Sequence, residues 1–394
     1  MKNKFVLGLC LTMLAVFLVA CGGGDAQQAV ADLQAQVTDL ESQLEEAKSM
    51  AADAEAALDD AMAMEDEGGD DAMAATANTL ATVQERGTLL CGNGAGASPG
   101  FAFIQEDGSW EGFNVDFCAV YATAVLGDPT AFESIVTTGT TRFPILQSGD
   151  ADVLSNNTTW TFSRDTALGF DFVPTVFYDG QGMMVRADSG IESLADLDGG
   201  SVCVATGTTT EKNLADVFRQ LDIDYEAVVF EDTGDTTRSA FAEGRCDGYT
   251  TDTSALVGSL VLFDDPSSVK ILPEVMSKEP LGPLVRHGDD NWFDIIKWAT
   301  NCTIQAEELG ITSANVDDML GSDDPVVLNT LGVEGDLGQA IGLNNDFCYQ
   351  IIKQVGNYGE IFDRHLGPDT PFNLSRGVNG QWLDGGLLYS PPFR

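Results

Sequence analysis

The 394 residues carry 62 acids against 19 lysines and arginines, a formal net charge of −43 at pH 7. Such a surface excludes nucleic acid and anionic membrane faces as partners, because both need a basic footprint that releases counterions. It selects no function by itself: fifteen acids against one lysine between Asp25 and Asp71 explain only part of the excess, and adaptation to a saline habitat would explain the remainder.

The chain begins MKNKFVLGLCLTMLAVFLVAC, two lysines ahead of an apolar run of about fifteen residues, too short for a permanent membrane span. This is an export signal over residues 1–20. Its ending, Leu18, Val19, Ala20 and Cys21, resembles a bacterial lipobox, in which the cysteine is diacylated and becomes the mature N-terminus. An ordinary signal peptide with a chance cysteine is the alternative. The expected product is extracytoplasmic, in the periplasm or at the cell surface, tethered to the membrane through lipid on Cys21, with no transmembrane helix.

Residues 21–64 follow as anchor and spacer. Val30, Leu33, Val37, Leu40, Leu44, Ala47, Ala51, Ala54 and Leu58 alternate spacings of three and four, with Asp, Glu and Gln between them. About four heptads of coiled coil fit this pattern, and a dimer through it is one outcome. A single solvated helix is the other, and in either form its length amounts to roughly 50 Å. Residues 65–78, EDEGGDDAMAATAN, read as an acidic linker.

From Thr79 short apolar runs (TLLC, ADVLS, GMMVR, SVCVA, GPLVR) alternate with amphipathic stretches such as VDFCAVYATAV, TRFPILQSG and EKNLADVFRQL. The class is α/β with mainly parallel sheets, whose ligands collect at strand carboxyl ends beside helix N-termini. Apart from Cys10 and Cys21, six cysteines remain: Cys91, Cys118, Cys203, Cys246, Cys302 and Cys348. Fifteen pairings are open to them. Chain order suggests Cys91 with Cys118, Cys203 with Cys246, and Cys302 with Cys348. A metal site is a poor alternative, since there is no CxxC and only two histidines.

Three stretches carry candidate binding chemistry. VCVATGTTTEKN ends a strand at Gly207 and opens a helix through Thr208, Thr209 and Thr210, offering hydroxyls and free N–H groups to an anion. A threonine N-cap with Glu211 as the acid of a capping box explains it equally. QSGDADVLSNNTTWTFSRD leads from a strand to Arg164, a residue type that grips carboxylates bidentately. GRCDGYTTDTSAL ends a strand at Asp252, placed to meet an ammonium. An anion clamp and a lone acid at strand ends make a site for a zwitterion.

QSGDADVL, NTTWTFSRD, YDGQGMMV, GTTTE, GRCDGYTTD and KEPLGPLVRHGDDNWFDIIKW, in this order and spacing, resemble the polar-amino-acid family of ABC-transporter solute-binding proteins, in its general L-amino-acid branch. The likeness runs from about Thr79 to the C-terminus. It implies a two-lobed periplasmic-binding-protein fold of type II with two crossover hinge strands. Residues 79–179 would begin lobe 1, 180–279 form lobe 2, and 280–394 return to lobe 1 with a C-terminal extension. It implies that Arg164 and Thr209 take the α-carboxylate with Thr208 beside them, that Thr159 and the Asn157 backbone reach the ligand's backbone groups, and that Asp252 accepts from the ammonium. Phe101 would be an aromatic wall, with Trp160 a weaker candidate. The first loop holds Asn93 and small residues where many relatives specific for basic amino acids carry an acid, which speaks against a lysine or arginine preference. The implied partners are an amino acid and the permease of an ABC importer. No cofactor is implied.

Enzymatic readings fare worse. GNGAGA at 92–97 fits a GxGxxA fingerprint, but Pro99 and Gly100 follow and no helix starts where a pyrophosphate needs one. There is no HExxH or Walker loop. An enzyme on the same fold, of dehydratase or cell-wall lytic type, is the alternative, and would need a cleft acid or base beyond the zwitterion clamp. A ligand-sensing module is a third.

Overall fold

The computed structural model describes residues 78–94, 97–231 and 235–394. The signal peptide, Cys21, the coiled-coil spacer and the linker to residue 77 lie outside the described residues.

Two five-stranded sheets share one plan. In the first the order is Phe132–Val136, Leu89–Asn93, Val153–Leu154, Leu284–Arg286, Phe170–Phe172. Leu89–Asn93 runs parallel to both neighbours, while Leu284–Arg286 returns antiparallel to both of its own. The second sheet runs Tyr225–Phe230, Gly200–Ala205, Gly248–Asp252, Gln181–Arg186, Val269–Ile271, again with a parallel trio and an antiparallel fourth strand. Central strands of such sheets are covered on both faces and read as near-continuous apolar runs. Met183, Met184 and Val185, and Val202, Cys203 and Val204, are accordingly all buried.

The chain passes between the sheets twice. Its two crossings, Phe177–Asp179 and Glu279–Leu281, pair antiparallel, with Glu279 opposite Asp179. Between the crossings lies the second lobe, with its own apolar clusters around Phe218 and Phe241. The first lobe has the larger core, built on the helix Phe113–Leu126, FNVDFCAVYATAVL, which is apolar on nearly every side and buried accordingly. Three later helices, Asp290–Glu308, Phe347–Gln354 and Tyr358–His365, pack over it.

Disulfides join Cys91 to Cys118, Cys203 to Cys246 and Cys302 to Cys348. The first ties the central strand of lobe 1 to its core helix, the second ties a strand of lobe 2 to the turn before the next, and the third links two tail helices.

For the C-terminal extension the sequence suggested nothing sharper than packing, and its contacts are more specific. Arg376 grips Glu307 through both guanidinium ends, at 2.8 and 3.1 Å. The Asn379 amide accepts from the Tyr178 N–H at 2.7 Å and donates to the Tyr178 carbonyl at 3.1 Å, doing for the crossing strand what a further strand would do. Tyr358 donates its buried hydroxyl to the Val176 carbonyl. The tail therefore fastens the outer edge of one hinge strand.

Candidate functional site

A cavity of about 150 Å³ lies between the lobes, where the parallel strands of both sheets end. An apolar cavity of that volume admits a benzene ring, so the occupant is a small molecule. Lobe 1 lines it with Asn114, Arg142, Asn157 and Thr159, and lobe 2 with Thr208, Thr209, Thr210, Tyr249 and Asp252.

The lobes meet around this cavity. Gly139 and Gly207 approach so closely that a Cβ on Gly139 would stand 2.5 Å from the Thr206 carbonyl oxygen, and Gly207 takes a φ of +71°. Only glycine suits that backbone without strain. Beside them Thr138 and Thr140 donate their hydroxyls to Glu231 across the gap. On another side a Cβ on Gly258 would stand 2.8 Å from the Pro99 carbonyl oxygen. These contacts describe a closed arrangement of the lobes.

The threonine motif divides its labour. Thr208 is the N-cap of helix Thr209–Gln220: its hydroxyl accepts from the Glu211 N–H at 3.1 Å and bonds the Ala205 carbonyl at 2.7 Å. Glu211 folds back to accept from the Gly207 N–H at 3.0 Å. The cap and the cavity wall are thus one structure, with Thr208 largely committed to the cap. Thr209, in the first turn, faces Thr159 of lobe 1, hydroxyl to hydroxyl at 3.2 Å.

Between those hydroxyls sits Glu279, which sequence reasoning missed. It lies on the second crossing strand, 1% exposed, and accepts from Thr159, Thr209, Asn213 and Ser277. Its motif, KEPLG, was quoted above without a role, and only the pairing of the crossings brings it to the cleft.

Asp252 closes strand Gly248–Asp252 and precedes helix Thr253–Ser259, but its side chain does not cap that helix. It is 7% exposed, and among the described residues no hydrogen bond or ion pair reaches its carboxylate. Burial pushes its carboxyl well above the usual range, and the Asp179 and Glu279 charges add to this against the pull of Arg142 and Arg164. An acceptor left unpaired inside a cleft favours a cation there.

Two arginines flank one ring. The guanidinium of Arg142 stands 4.9 Å from the centroid of Phe143, and that of Arg164 stands 5.1 Å from it. Arg164 is buried, donates to the Thr159 carbonyl at 2.8 Å and makes no ion pair among the described residues; it reaches the site through Thr159 rather than lining the cavity. Burial lowers it to about 10, with Glu279 and Asp252 opposing. Arg142 lines the cavity directly and was not picked out from the sequence. Burial and the Arg164 charge lower it to about 9, still charged at neutral pH, with Asp252 and Glu279 opposing.

Asn157 lines the cavity, its side-chain oxygen accepting from the Asn114 amide at 2.6 Å. The two aromatic candidates stand elsewhere. Phe101 is 1% exposed and packs edge-on against Phe113 and Phe177 in the lobe-1 core; the hairpin's alternation gives the cavity Ala102 instead. Trp160 is 41% exposed, stacked on Phe172 and bonded to Asp165. The large side chains that do line the cavity are Tyr249 and Arg142, and the rest of the wall is small or polar.

A family model described as bacterial extracellular solute-binding proteins, family 3, matches residues 93–312. The general L-amino acid-binding periplasmic protein of Rhizobium johnstonii is 50% identical over 325 residues, 82% of this chain and 95% of its own. The glutamate/glutamine/aspartate/asparagine-binding protein of Rhodobacter capsulatus is 49% identical over 324 residues, 82% of this chain and 95% of its own. Among solved structures, an ABC transporter/periplasmic binding protein from Brucella ovis with glutathione bound is 47% identical at a TM-score of 0.78, covering 81% of this chain and 100% of that one.

Proposed function

This chain belongs to the bacterial extracellular solute-binding proteins of family 3, and on that premise we propose that it captures an L-amino acid between its lobes and delivers it to an ABC importer. The observation that carries the reading is Asp252, a buried carboxylate without a partner among the described residues, across from buried arginines and paired threonines. An α-ammonium at Asp252 and an α-carboxylate drawn to the arginine side, with Thr159 and Thr209 turning toward it the hydroxyls they here donate to Glu279, would satisfy both ends of the site at once, as buried charges require. The bound zwitterion then bridges the lobes and stabilises the closed hinge. The relatives named above are binding proteins. A binding protein without catalytic activity, needing no cofactor, is the reading we adopt.

A thermal-shift panel of the twenty amino acids tests this directly. A ligand at a hundred times its dissociation constant adds about 2.7 kcal/mol to stability. Glutathione joins the panel because the Brucella ovis structure holds it. If no amino acid raises the melting temperature while a sugar, a metal or an aromatic precursor does, the reading is lost. Lipid on Cys21 would tether the protein outside the cytoplasm, and Cys21→Ser should free it from the membrane fraction; protein that stays there refutes the lipobox.

A further inference from the structure

Asp252 occupies the N-cap position of helix Thr253–Ser259, where a carboxylate ordinarily turns onto the N–H of the second or third helical residue. Here it makes no such bond, and its side chain lines the cavity. The reason lies in the first crossing strand. Asp179, the last residue of Phe177–Asp179, accepts from the Ser254 N–H at 3.2 Å and from the Ser254 hydroxyl, while its other oxygen accepts from the Gly180 N–H at 2.8 Å. The Gly180 carbonyl accepts from the Thr253 N–H at 2.8 Å and from the Thr253 hydroxyl at 2.9 Å. The hinge therefore satisfies the first two N–H groups of the helix, which its own cap residue leaves alone. Register puts the two within reach, because Gln181, two positions after Asp179, pairs with Asp252 itself.

The arrangement is unfavourable for Asp252. Burial pushes its carboxyl up, and the Asp179 charge pushes it further. Turning Asp252 onto its own helix would cap the same N–H without a second acid. A buried acceptor left unbonded is costly, so one kept in this way calls for a use outside the fold.

Resting on the amino-acid reading above, we infer that Asp179 is a positioning residue for the ligand's ammonium: by capping the helix in place of Asp252, it leaves the Asp252 carboxylate free to face the cleft. Asp179 is not among the residues that line the cavity, so it acts through Asp252 and not on the ligand. Without it the Ser254 N–H draws the Asp252 carboxylate back onto the helix, and an arriving ammonium has to pull it off. An N-cap bond is worth roughly fivefold, and at most about thirtyfold, in an equilibrium constant. Apparent affinity falls by the fraction of protein withdrawn from the competent form.

Calorimetric titration of the full chain tests this with two probes: the L-amino acid, of the twenty, that raises the melting temperature most, and the same acid without its α-amino group. Asp179→Ala should lower the preference for the amino acid over the deaminated acid by roughly fivefold to thirtyfold, with the deaminated acid binding as before or more tightly. Asp179→Asn keeps an oxygen that can accept from Ser254 and should hold the preference within about threefold of the wild type. Ser254→Ala removes the hydroxyl that holds Asp179 at the helix; it should lower the preference by about threefold, and decides the matter where Asp179→Ala does not fold. An unchanged preference in Asp179→Ala overturns the inference. So does an equal loss in Asp179→Asn, which makes the effect one of charge, and so does an equal fall for both probes, which makes Asp179 a support for the fold alone. A wild type that binds both probes equally, or binds no amino acid, is a different result: it removes the zwitterion reading of the site, and this inference with it.

Discussion

Replacing Asp252 with Asn should weaken ligand binding and raise the stability of the empty protein, two effects with one cause. The carboxylate is 7% exposed, lacks a bonded partner among the described residues and stands near Asp179 and Glu279. Opposite charges about 3 Å apart attract by about 5 kcal/mol at an effective dielectric of about 20. Dehydrating the ammonium removes part of this, so losing Asp252 should cost about 2–5 kcal/mol, or roughly thirtyfold to several thousandfold in affinity. A ligand without its α-amino group should lose much less. The sign of the stability effect follows from the direction of the shift. A carboxyl raised in the folded state holds its proton more tightly there than in the unfolded chain, so its contribution is complete below about pH 4 and is lost as pH rises through the raised value. Above that raised value the ionised group therefore destabilises the empty wild type, and there Asp252→Asn should melt higher. Ligand affinity of the wild type should fall as pH drops through the same raised value, because a proton then competes with the ammonium. Calorimetric titration between pH 4 and pH 8, with melting curves of both proteins, decides the matter. Unchanged affinity in Asp252→Asn, with a lower melting point, would refute the argument and make Asp252 a helix-end residue.

Arg164→Ala should cost a similar 2–5 kcal/mol for an amino acid and less for its α-amide, whose missing charge no longer needs the guanidinium; equal losses for both ligands would make Arg164 merely a support for Thr159. The double change Thr138→Ala with Thr140→Ala removes the two hydroxyls that bridge to Glu231. Because that bridge is exposed, dissociation constants for every ligand should rise only by roughly threefold, through faster release, and a change confined to one ligand in stopped-flow measurements would count against a role in closure.

The sheets were legible because alternating short apolar runs and amphipathic stretches leave few α/β alternatives, and because GTTTE follows a strand that stops at Ala205 while GYTTD ends another, both at residues that line the cavity. Thr159, Thr209 and Asp252 could be picked out for the same reason: local sequence placed them at strand ends. Arg142 and Glu279 could not. Arg142 lies inside TRFPILQSG, which reads as an ordinary amphipathic helix, and nothing local says that its first residue turns inward. Glu279 belongs to a three-residue strand whose partner lies a hundred positions earlier, at Asp179, so its place depends on a long-range pairing. Phe101 was misassigned because a loop aromatic reads equally as pocket wall or as core; its register in the hairpin, next to Ala102, turns the ring toward Phe113. Asn379 shows the same limit, since an amide that pairs with a backbone 201 residues away leaves no mark on the sequence around it.

The three disulfides bear on how the molecule is made. In order of appearance beyond residue 78 the cysteines are 91, 118, 203, 246, 302 and 348, and each even-numbered member of that series is bonded to the one before it. No bridge encloses or interleaves another. A chain threaded outward from its N-terminus exposes one cysteine and then its correct partner before the next pair arrives, so an oxidase that joins each new thiol to the last free one yields the native set. Reshuffling through thiol–disulfide exchange, which is slow and needs an attacking thiolate, is not required. The order of the cysteines along the chain therefore matches the covalent pattern, and oxidation in that order should yield the native set without an isomerase.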